Sequence, residues 1–128
     1  PYPYAWDAAE ITTALPATLT NTGTADFWPV LKVFGAPSSN FTITNTSVLD
    51  TEGNPLSIVY DTGTPIPGGG QYVEIDTFRN TMYLNGNGAN MKDGLNVLES
   101  DFFPLAVGAN NITISGATAN VLWQNAWA

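Results

Sequence analysis

The sequence contains 128 residues, and eleven carboxylates against three cations give it a net charge of −8. This length corresponds to one domain that can bury its own core. The chain has no cysteine and no histidine, which excludes disulfides, thiolate metal sites and Ser-His-Asp or Cys-His catalysis. Three cations cannot form the basic stripe that nucleic-acid binding requires, and no apolar run approaches the roughly 20 residues of a membrane helix. We therefore expect neither a nucleic-acid partner nor insertion into a membrane.

The first ten residues, PYPYAWDAAE, combine two prolines with three aromatic side chains. Proline removes a backbone donor and keeps the residue before it extended. Residues 1–10 are therefore predicted to form an extended arm, and residues 11–128 a single domain. The arm would lay Tyr2, Tyr4 and Trp6 either on the edge of its own domain or on a neighbouring subunit.

Residues 11–35 carry the first strand patterns. Residues 11–22 are β-branched but include Pro16, which predicts an interrupted edge strand because proline cannot donate to a ladder. Residues 27–35 alternate strictly, so Leu31 and Val33 share one face and the residues between them the other. Further strands are predicted at 41–44 and 56–61, on either side of a turn at 50–55.

The second half continues in the same way. Residues 71–85 predict a hairpin with Val73 and Ile75 facing inward, and residues 91–100 contain the only plausible helical turn. The closing stretch is predicted to be a second hairpin, with a loop at 115–118 and a turn at 108–110 leading into it. Its predicted core residues are Ile112, Ile114, Val121 and Trp123.

The pattern as a whole comprises about nine or ten short strands with turn signals every 8 to 12 residues. Such spacing is typical of an all-β fold, an antiparallel β-sandwich or jelly roll.

Two acidic segments could have a chemical role, one in acid–base catalysis and the other in cation binding. Glu74 and Asp76 lie two apart on a strand and share a face, as the paired carboxylates of a glycosidase could. The favoured interpretation is that both are exposed and that Asp76 pairs with Arg79 across a tight turn. Residues 50–54 alternate oxygen ligands, but an EF-hand needs a glutamate at its twelfth position, where this chain has Asp61. An unspecific cation site there is kept as an alternative, and no cofactor, metal centre or catalytic residue is predicted.

The aromatic residues are the remaining candidates for a binding role. Trp123 is predicted to be core, whereas Trp28 precedes a proline and Trp127 lies at the end of the chain. The candidate contact residues, for a neighbouring subunit or for a stacked sugar, are Tyr2, Tyr4, Trp6, Trp28 and Trp127.

Three ordered segments resemble a known family. They are FWPVLKVFG followed by NFTITNTS, then GGGQYVEIDTFRNTMYLN, then DFFPLAVGANNITIS with a closing ANVLWQNAWA. Their order and spacing over residues 15–128 resemble the C-terminal domain of the siphophage distal-tail and minor-tail proteins. The resemblance implies a galectin-like β-sandwich in a bacteriophage virion, part of a ring at the tail tip.

This resemblance leads to the functional hypotheses. The first is a non-enzymatic tail protein that contacts other virion subunits in a homo-oligomeric ring or array, assembled in the cytoplasm of the bacterial host. The alternatives are a module that binds host-surface glycans, a related sandwich that decorates the capsid and, weakest, a glycosidase. The N-terminal ring-forming domain of distal-tail proteins is missing from this sequence, so the chain is expected to be a fragment or a processed domain.

Overall fold

The computed structural model describes residues 10–34, 40–61, 66 and 70–127. This part of the chain forms nine strands and a 3-10 helix at Lys92–Gly94, inside the segment predicted to hold a helical turn. The strands are β1 (Ile11–Ala14), β2 (Ala17–Asn21), β3 (Val30–Phe34), β4 (Phe41–Leu49), β5 (Pro55–Tyr60), β6 (Tyr72–Asp76), β7 (Thr81–Leu84), β8 (Gly108–Ser115) and β9 (Thr118–Trp123). Within the described residues, no helix is long and apolar enough to cross a membrane.

The strands form two sheets. The five-stranded sheet has the order β1-β9-β3-β6-β7, and the four-stranded sheet has the order β2-β8-β4-β5. Every pair of neighbours is antiparallel. The predicted all-β antiparallel sandwich is therefore confirmed.

The alternation of the strands places one set of side chains between the sheets. Leu31 and Val33 of β3 are fully buried, as are Val73 and Ile75 of β6, and Ile43 of β4 is fully buried in the other sheet. The residues between them on β3 are only half-buried. Since each buried side chain of this size contributes about 1.5–3 kcal/mol, these inward-facing residues hold the two sheets together.

The interrupted edge strand is confirmed, and Pro16 is where it changes sheets. β1 is an edge of the five-stranded sheet and pairs with β9, whereas β2 is an edge of the four-stranded sheet and pairs with β8. A cis peptide bond joins Leu15 to Pro16 between them. One short segment therefore forms the same flank of both sheets.

The prediction of a closing hairpin is wrong. β8 pairs with β2 and β4, and β9 pairs with β1 and β3, so residues 115–118 cross from one sheet to the other. Gly116 makes this corner with a φ of 87°, and a side chain there would collide with the carbonyl oxygen of Asn40. The predicted turn at 108–110 is also wrong, because β8 already begins at Gly108. Period-two alternation predicted both strands, but their partners are distant in sequence.

Candidate functional site

A groove of about 510 Å³ opens beside the end of the five-stranded sheet. Its described lining comes from the start of β3, the turn after β6 and the segment before residue 103. The lining residues are Trp28, Thr77, Phe78, Asn80, Ser100, Asp101 and Phe102.

One wall is the turn that joins β6 to β7. Asp76 Oδ1 accepts hydrogen bonds from the backbone N–H of Phe78 and of Arg79, each at 3.1 Å. The Thr77 hydroxyl donates to the carbonyl oxygen of Pro29 at 2.6 Å, which ties the turn to the start of β3. Asn80 completes the turn in the left-handed region, with a φ of 57°. The turn thus presents Phe78 and Asn80 to the groove in a fixed geometry.

The facing wall is held by the edge of β5. The Ser100 hydroxyl accepts from the N–H of Val59 at 2.8 Å and donates to the carbonyl oxygen of Val59 at 3.2 Å. The N–H of Asp101 donates to the carbonyl oxygen of Ser57 at 2.7 Å. Both walls are therefore anchored to strands, so the groove is preorganised.

The groove combines aromatic surface with a few polar groups. Phe78 is 42% exposed, and Lys92 Nζ lies 5.7 Å from the centre of the Phe102 ring. The Thr77 and Ser100 hydroxyls already have backbone partners, which leaves the Asp101 carboxylate and the Asn80 amide as the polar groups best placed to contact a ligand. This composition suits binding of a neutral polar molecule with apolar faces.

The structure separates the predicted aromatic contact residues. Trp28 is half-buried in the groove, whereas Trp127 is 41% exposed and is not among the described lining residues. Trp123 is core, as predicted, and its indole N–H donates to the Thr13 hydroxyl at 3.1 Å. Tyr2, Tyr4 and Trp6 lie outside the described residues, as do most residues of the predicted arm. A contact role for Tyr2, Tyr4, Trp6, Trp28 and Trp127 stays a prediction. Sequence reasoning missed Phe78 and Phe102, which line the groove together with Trp28.

The two carboxylates of β6 have different surroundings, since Glu74 is half-buried and Asp76 is buried. Asp76 is 8% exposed, so the expectation that it is exposed is wrong, because its carboxylate caps the following turn. Its predicted partner is confirmed, with Asp76 Oδ2 lying 3.9 Å from Arg79 Nε. Asp76 is thus engaged by two backbone donors and one cation, an arrangement that serves the turn.

The oxygen-rich segment at 50–54 is a capped turn. Asp50 Oδ1 accepts from the N–H of Glu52 at 2.8 Å and from the N–H of Asn54 at 2.9 Å. Across the described ranges, no group of three or more His, Cys, Asp or Glu residues is placed to hold a metal ion. The Asp50 carboxylate is accounted for by the turn itself.

Three buried asparagines form a polar feature that the sequence prediction missed. Asn21, Asn45 and Asn110 are fully buried. Asn110 Oδ1 accepts from Asn45 Nδ2 at 3.1 Å and from the N–H of Ala106 at 2.8 Å. Asn45 continues the inward-facing phase of Phe41 and Ile43, so strand periodicity contained the signal.

Tyr60 is the described residue whose titration is clearly shifted. Its ring stacks on Phe41 with centroids 5.1 Å apart and is almost completely buried. This burial, reinforced by the charge of Asp93 and a hydrogen bond to it, raises the pKa of Tyr60 to about 12. Tyr60 is therefore a core residue and not a reactive phenol.

Comparison with a solved structure supports the architecture. The chain matches the crystal structure of the Dit protein (gp 19.1) of SPP1 with a TM-score of 0.67 and 14% sequence identity. That protein is described as a paradigm of the hub adsorption apparatus in phages that infect Gram-positive bacteria. The match covers 91% of this chain and 46% of that chain, so the present sequence spans about half the length of the Dit protein. No match was found among curated protein sequences.

A family comparison identifies the sandwich more specifically. Residues 22–127, from the end of β2 to the penultimate residue, match the siphovirus-type tail component, C-terminal domain. This range contains all of β3 to β9 and both walls of the groove. The chain therefore belongs to the siphovirus-type tail component family, of which it represents the C-terminal domain.

Proposed function

We propose that this domain is a non-enzymatic structural part of a bacteriophage tail, within the apparatus that adsorbs to the host. The observation that carries the proposal is the family match over residues 22–127, which includes seven of the nine described strands. Two of the carboxylates that the sequence singled out, Asp50 and Asp76, fit this role because each caps a backbone turn. The partners would be other virion subunits, arranged as a ring or array and assembled in the host cytoplasm.

The proposal is tested by locating the chain in purified virions. Antibodies raised against the domain and coupled to gold should label the distal end of the tail in electron micrographs. Labelling of the capsid, or none on virions whose proteins include this sequence by mass spectrometry, would contradict it.

The groove favours a second function beside the first, the binding of a saccharide. Aromatic faces pack on the C–H patches of sugar rings, and the Asp101 carboxylate and Asn80 amide could bind their hydroxyls. Because the charged group among the described lining residues is the Asp101 carboxylate, the groove suits a neutral glycan better than an anionic polymer. The galectin-like character implied by the sequence resemblance agrees with such a role.

Saturation-transfer NMR with neutral cell-wall oligosaccharides tests this second function. Transfer to a sugar that is lost in Phe78→Ala but kept in Tyr83→Ala, a similarly exposed aromatic of the adjoining strand, would support it. Equal transfer in both variants would contradict it.

A further inference from the structure

Two large apolar side chains project from the turn that follows the 3-10 helix, and the described core does not bury them. Leu98 is 94% exposed and Val97 is 74% exposed. The N–H of Glu99 donates to the carbonyl oxygen of Asn96 at 3.2 Å, so Val97 and Leu98 occupy the two central positions of a β-turn. Exposed turns favour Gly, Pro, Asn, Asp and Ser, and valine favours strands. Neither burial nor turn chemistry accounts for this pair, which marks the turn as a candidate contact site.

The turn is held at both ends by the edge of the four-stranded sheet. Before it, the N–H of Asn96 donates to the carbonyl oxygen of Val59 at 2.9 Å. After it, the N–H of Asp101 donates to the carbonyl oxygen of Ser57 at 2.7 Å. Within it, Asn96 Oδ1 accepts from the N–H of Glu99 at 3.3 Å. Because the backbone is already fixed, a partner that buries the two apolar side chains has little more than those side chains to order.

Carboxylates surround these apolar side chains. Asn96 Nδ2 donates to Asp61 Oδ2 and to Glu99 Oε2, each at 3.2 Å, which holds two carboxylates beside the turn. Residues 92–101 contain a single cation, Lys92. The turn therefore presents an apolar centre inside a negatively charged rim. The carboxylates on or beside the turn are Asp61, Asp93, Glu99 and Asp101.

We infer that Val97 and Leu98 dock into an apolar pocket on a different virion subunit, and that lysine or arginine side chains rim that pocket. Leu98, the more exposed of the two, enters the pocket, and the surrounding carboxylates pair with the basic rim. An apolar centre within a polar rim is the common anatomy of protein–protein interfaces, and opposite charges steer the approach and fix its orientation. The inference rests on the proposed place of the domain in a tail and adds the chemistry of one partner to it.

The charge of the chain argues against a second copy as the occupant. The whole sequence contains three cations and has a net charge of −8. Lys92 belongs to the acidic stretch itself, and Arg79 Nε lies 3.9 Å from a carboxylate oxygen of Asp76. Lys32 is the remaining cation, and it lies in the middle of β3 with its Nζ 5.1 Å from the centre of the Tyr72 ring. A second copy therefore offers no cluster of cations to rim the pocket, and the same carboxylates disfavour an anionic membrane surface.

Site-specific photo-crosslinking in the virion tests this inference. The photoreactive residue p-benzoylphenylalanine replaces Leu98 in the tail protein of virions on which the gold label has located the domain at the tail. Irradiation should link position 98 to a virion protein other than this chain, at an apolar residue beside lysine or arginine in the mass spectra. A link to another copy of this chain, a link to a segment without cations, or no link would overturn the inference. Because only virions labelled at the tail are used, such a failure leaves the tail assignment standing.

Val107 is the matched control position for the cross-link. It is also apolar and is 52% exposed, but it lies in residues 102–128, which contain no Asp, Glu, Lys or Arg. The same link formed with equal yield from position 107 would overturn the assignment of the contact to the turn.

Binding between the purified tail protein and the cross-linked partner then measures the apolar contribution. Leu98→Ser should raise the Kd by about tenfold or more, because it removes a large apolar side chain from the pocket. Val107→Ser should leave the Kd unchanged, and circular dichroism should show both variants folded, since both side chains are exposed. Equal Kd values for Leu98→Ser and the parent protein would refute Leu98 as the docking residue.

A charge reversal tests the basic rim. Glu99→Lys should weaken binding at low salt and weaken it less at high salt, where the charges on the rim are screened. Glu52→Lys is the control, because Glu52 is exposed in the turn between β4 and β5 and gives the same change in net charge. Equal weakening by Glu99→Lys and Glu52→Lys would show that net charge alone matters and would refute the basic rim.

Discussion

The two halves of this sandwich differ in charge and in how their edge strands are covered. The uncharged half consists of β1, β2, β8 and β9, and the charged half is the chain between residues 32 and 101, with eight carboxylates and all three cations. In the charged half, segments 88–91 and 95–101 cover the outer edges, and the groove lies between anchored turns. In the uncharged half, buried asparagines fix the strands from within, and no segment among the described residues covers the outer edges of β1 and β2. The comparison shows that the same sandwich covers its edge strands β5 and β7 with its own chain, whereas no described segment covers β1 and β2.

The largest effect is expected where the uncharged half is fixed from within. Asn110→Ala removes an acceptor for Ala106 N–H and donors to the carbonyl oxygens of Ala106 and Gly108, all within 3.0 Å. Leaving these groups unsatisfied should lower the free energy of unfolding by about 3 kcal/mol, measured by urea denaturation. Asn111→Ala, at an exposed neighbouring position, is the control and should change it by less than about 0.5 kcal/mol. Similar losses in both variants would show that the buried amides do not fix this half.

Alkaline pH should next affect the core beneath the charged half. Tyr60 has a folded pKa raised from 10.0 to about 12, so the folded chain holds this proton more tightly than the unfolded chain. Its contribution is fully present below pH 10 and is lost as the pH rises towards 12, by roughly 2 kcal/mol. Tyr60→Phe keeps the ring but removes this titration. The variant should therefore lose less stability than the parent chain in urea denaturation over that interval, and parallel losses would contradict the assignment.

A smaller effect is expected at the turn that forms one wall of the groove. Asp76→Ala removes the acceptor for two backbone N–H groups and should lower the free energy of unfolding by about 1 kcal/mol. Arg79→Ala removes a cation whose side chain is 59% exposed, and the loss of its ion pair with Asp76 should cost no more than about 0.5 kcal/mol. Thermal denaturation of the two variants compares them, and a larger loss for Arg79→Ala would mean that the ion pair, not the capped turn, holds this wall.

The smallest effect is expected from salt. The charged half holds eight carboxylates against three cations and therefore repels itself. This repulsion is screened as the Debye length falls from about 30 Å at 0.01 M to about 8 Å at 0.15 M ionic strength. Stability should therefore rise by less than about 1 kcal/mol over this range. Urea midpoints in sodium chloride measure it. A fall would show that attractive pairs such as Asp76 and Arg79 outweigh the repulsion.

Much of the fold was predictable from local pattern. Alternation identified the buried faces of β3 and β6, and Pro16 marked the break between β1 and β2. Strand pairing was harder to predict than the strands themselves. β8 and β9 pair with strands that are distant in sequence, and residues 115–118 could equally have formed a hairpin. Asn110 was also difficult to place. Asparagine is common in turns, so a turn was predicted there, but the residue lies in β8 with its side chain buried in the core.

The candidate groove was only partly predictable. Trp28 was identified as a candidate from its residue type, but Phe78 and Phe102 reach the same groove through segments more than 20 residues apart. Asp76 was expected to be exposed because strand alternation does not show that a carboxylate turns back to cap the next residues. Such local backbone contacts depend on the turn geometry, which the spacing of residue types does not specify.

A cryo-EM map of the parent virion tests the central claim most directly. The account predicts this sandwich at the distal end of the tail, in contact with other virion subunits. A map that places the domain on the capsid, or at the tail without any contact to another virion subunit, would contradict it.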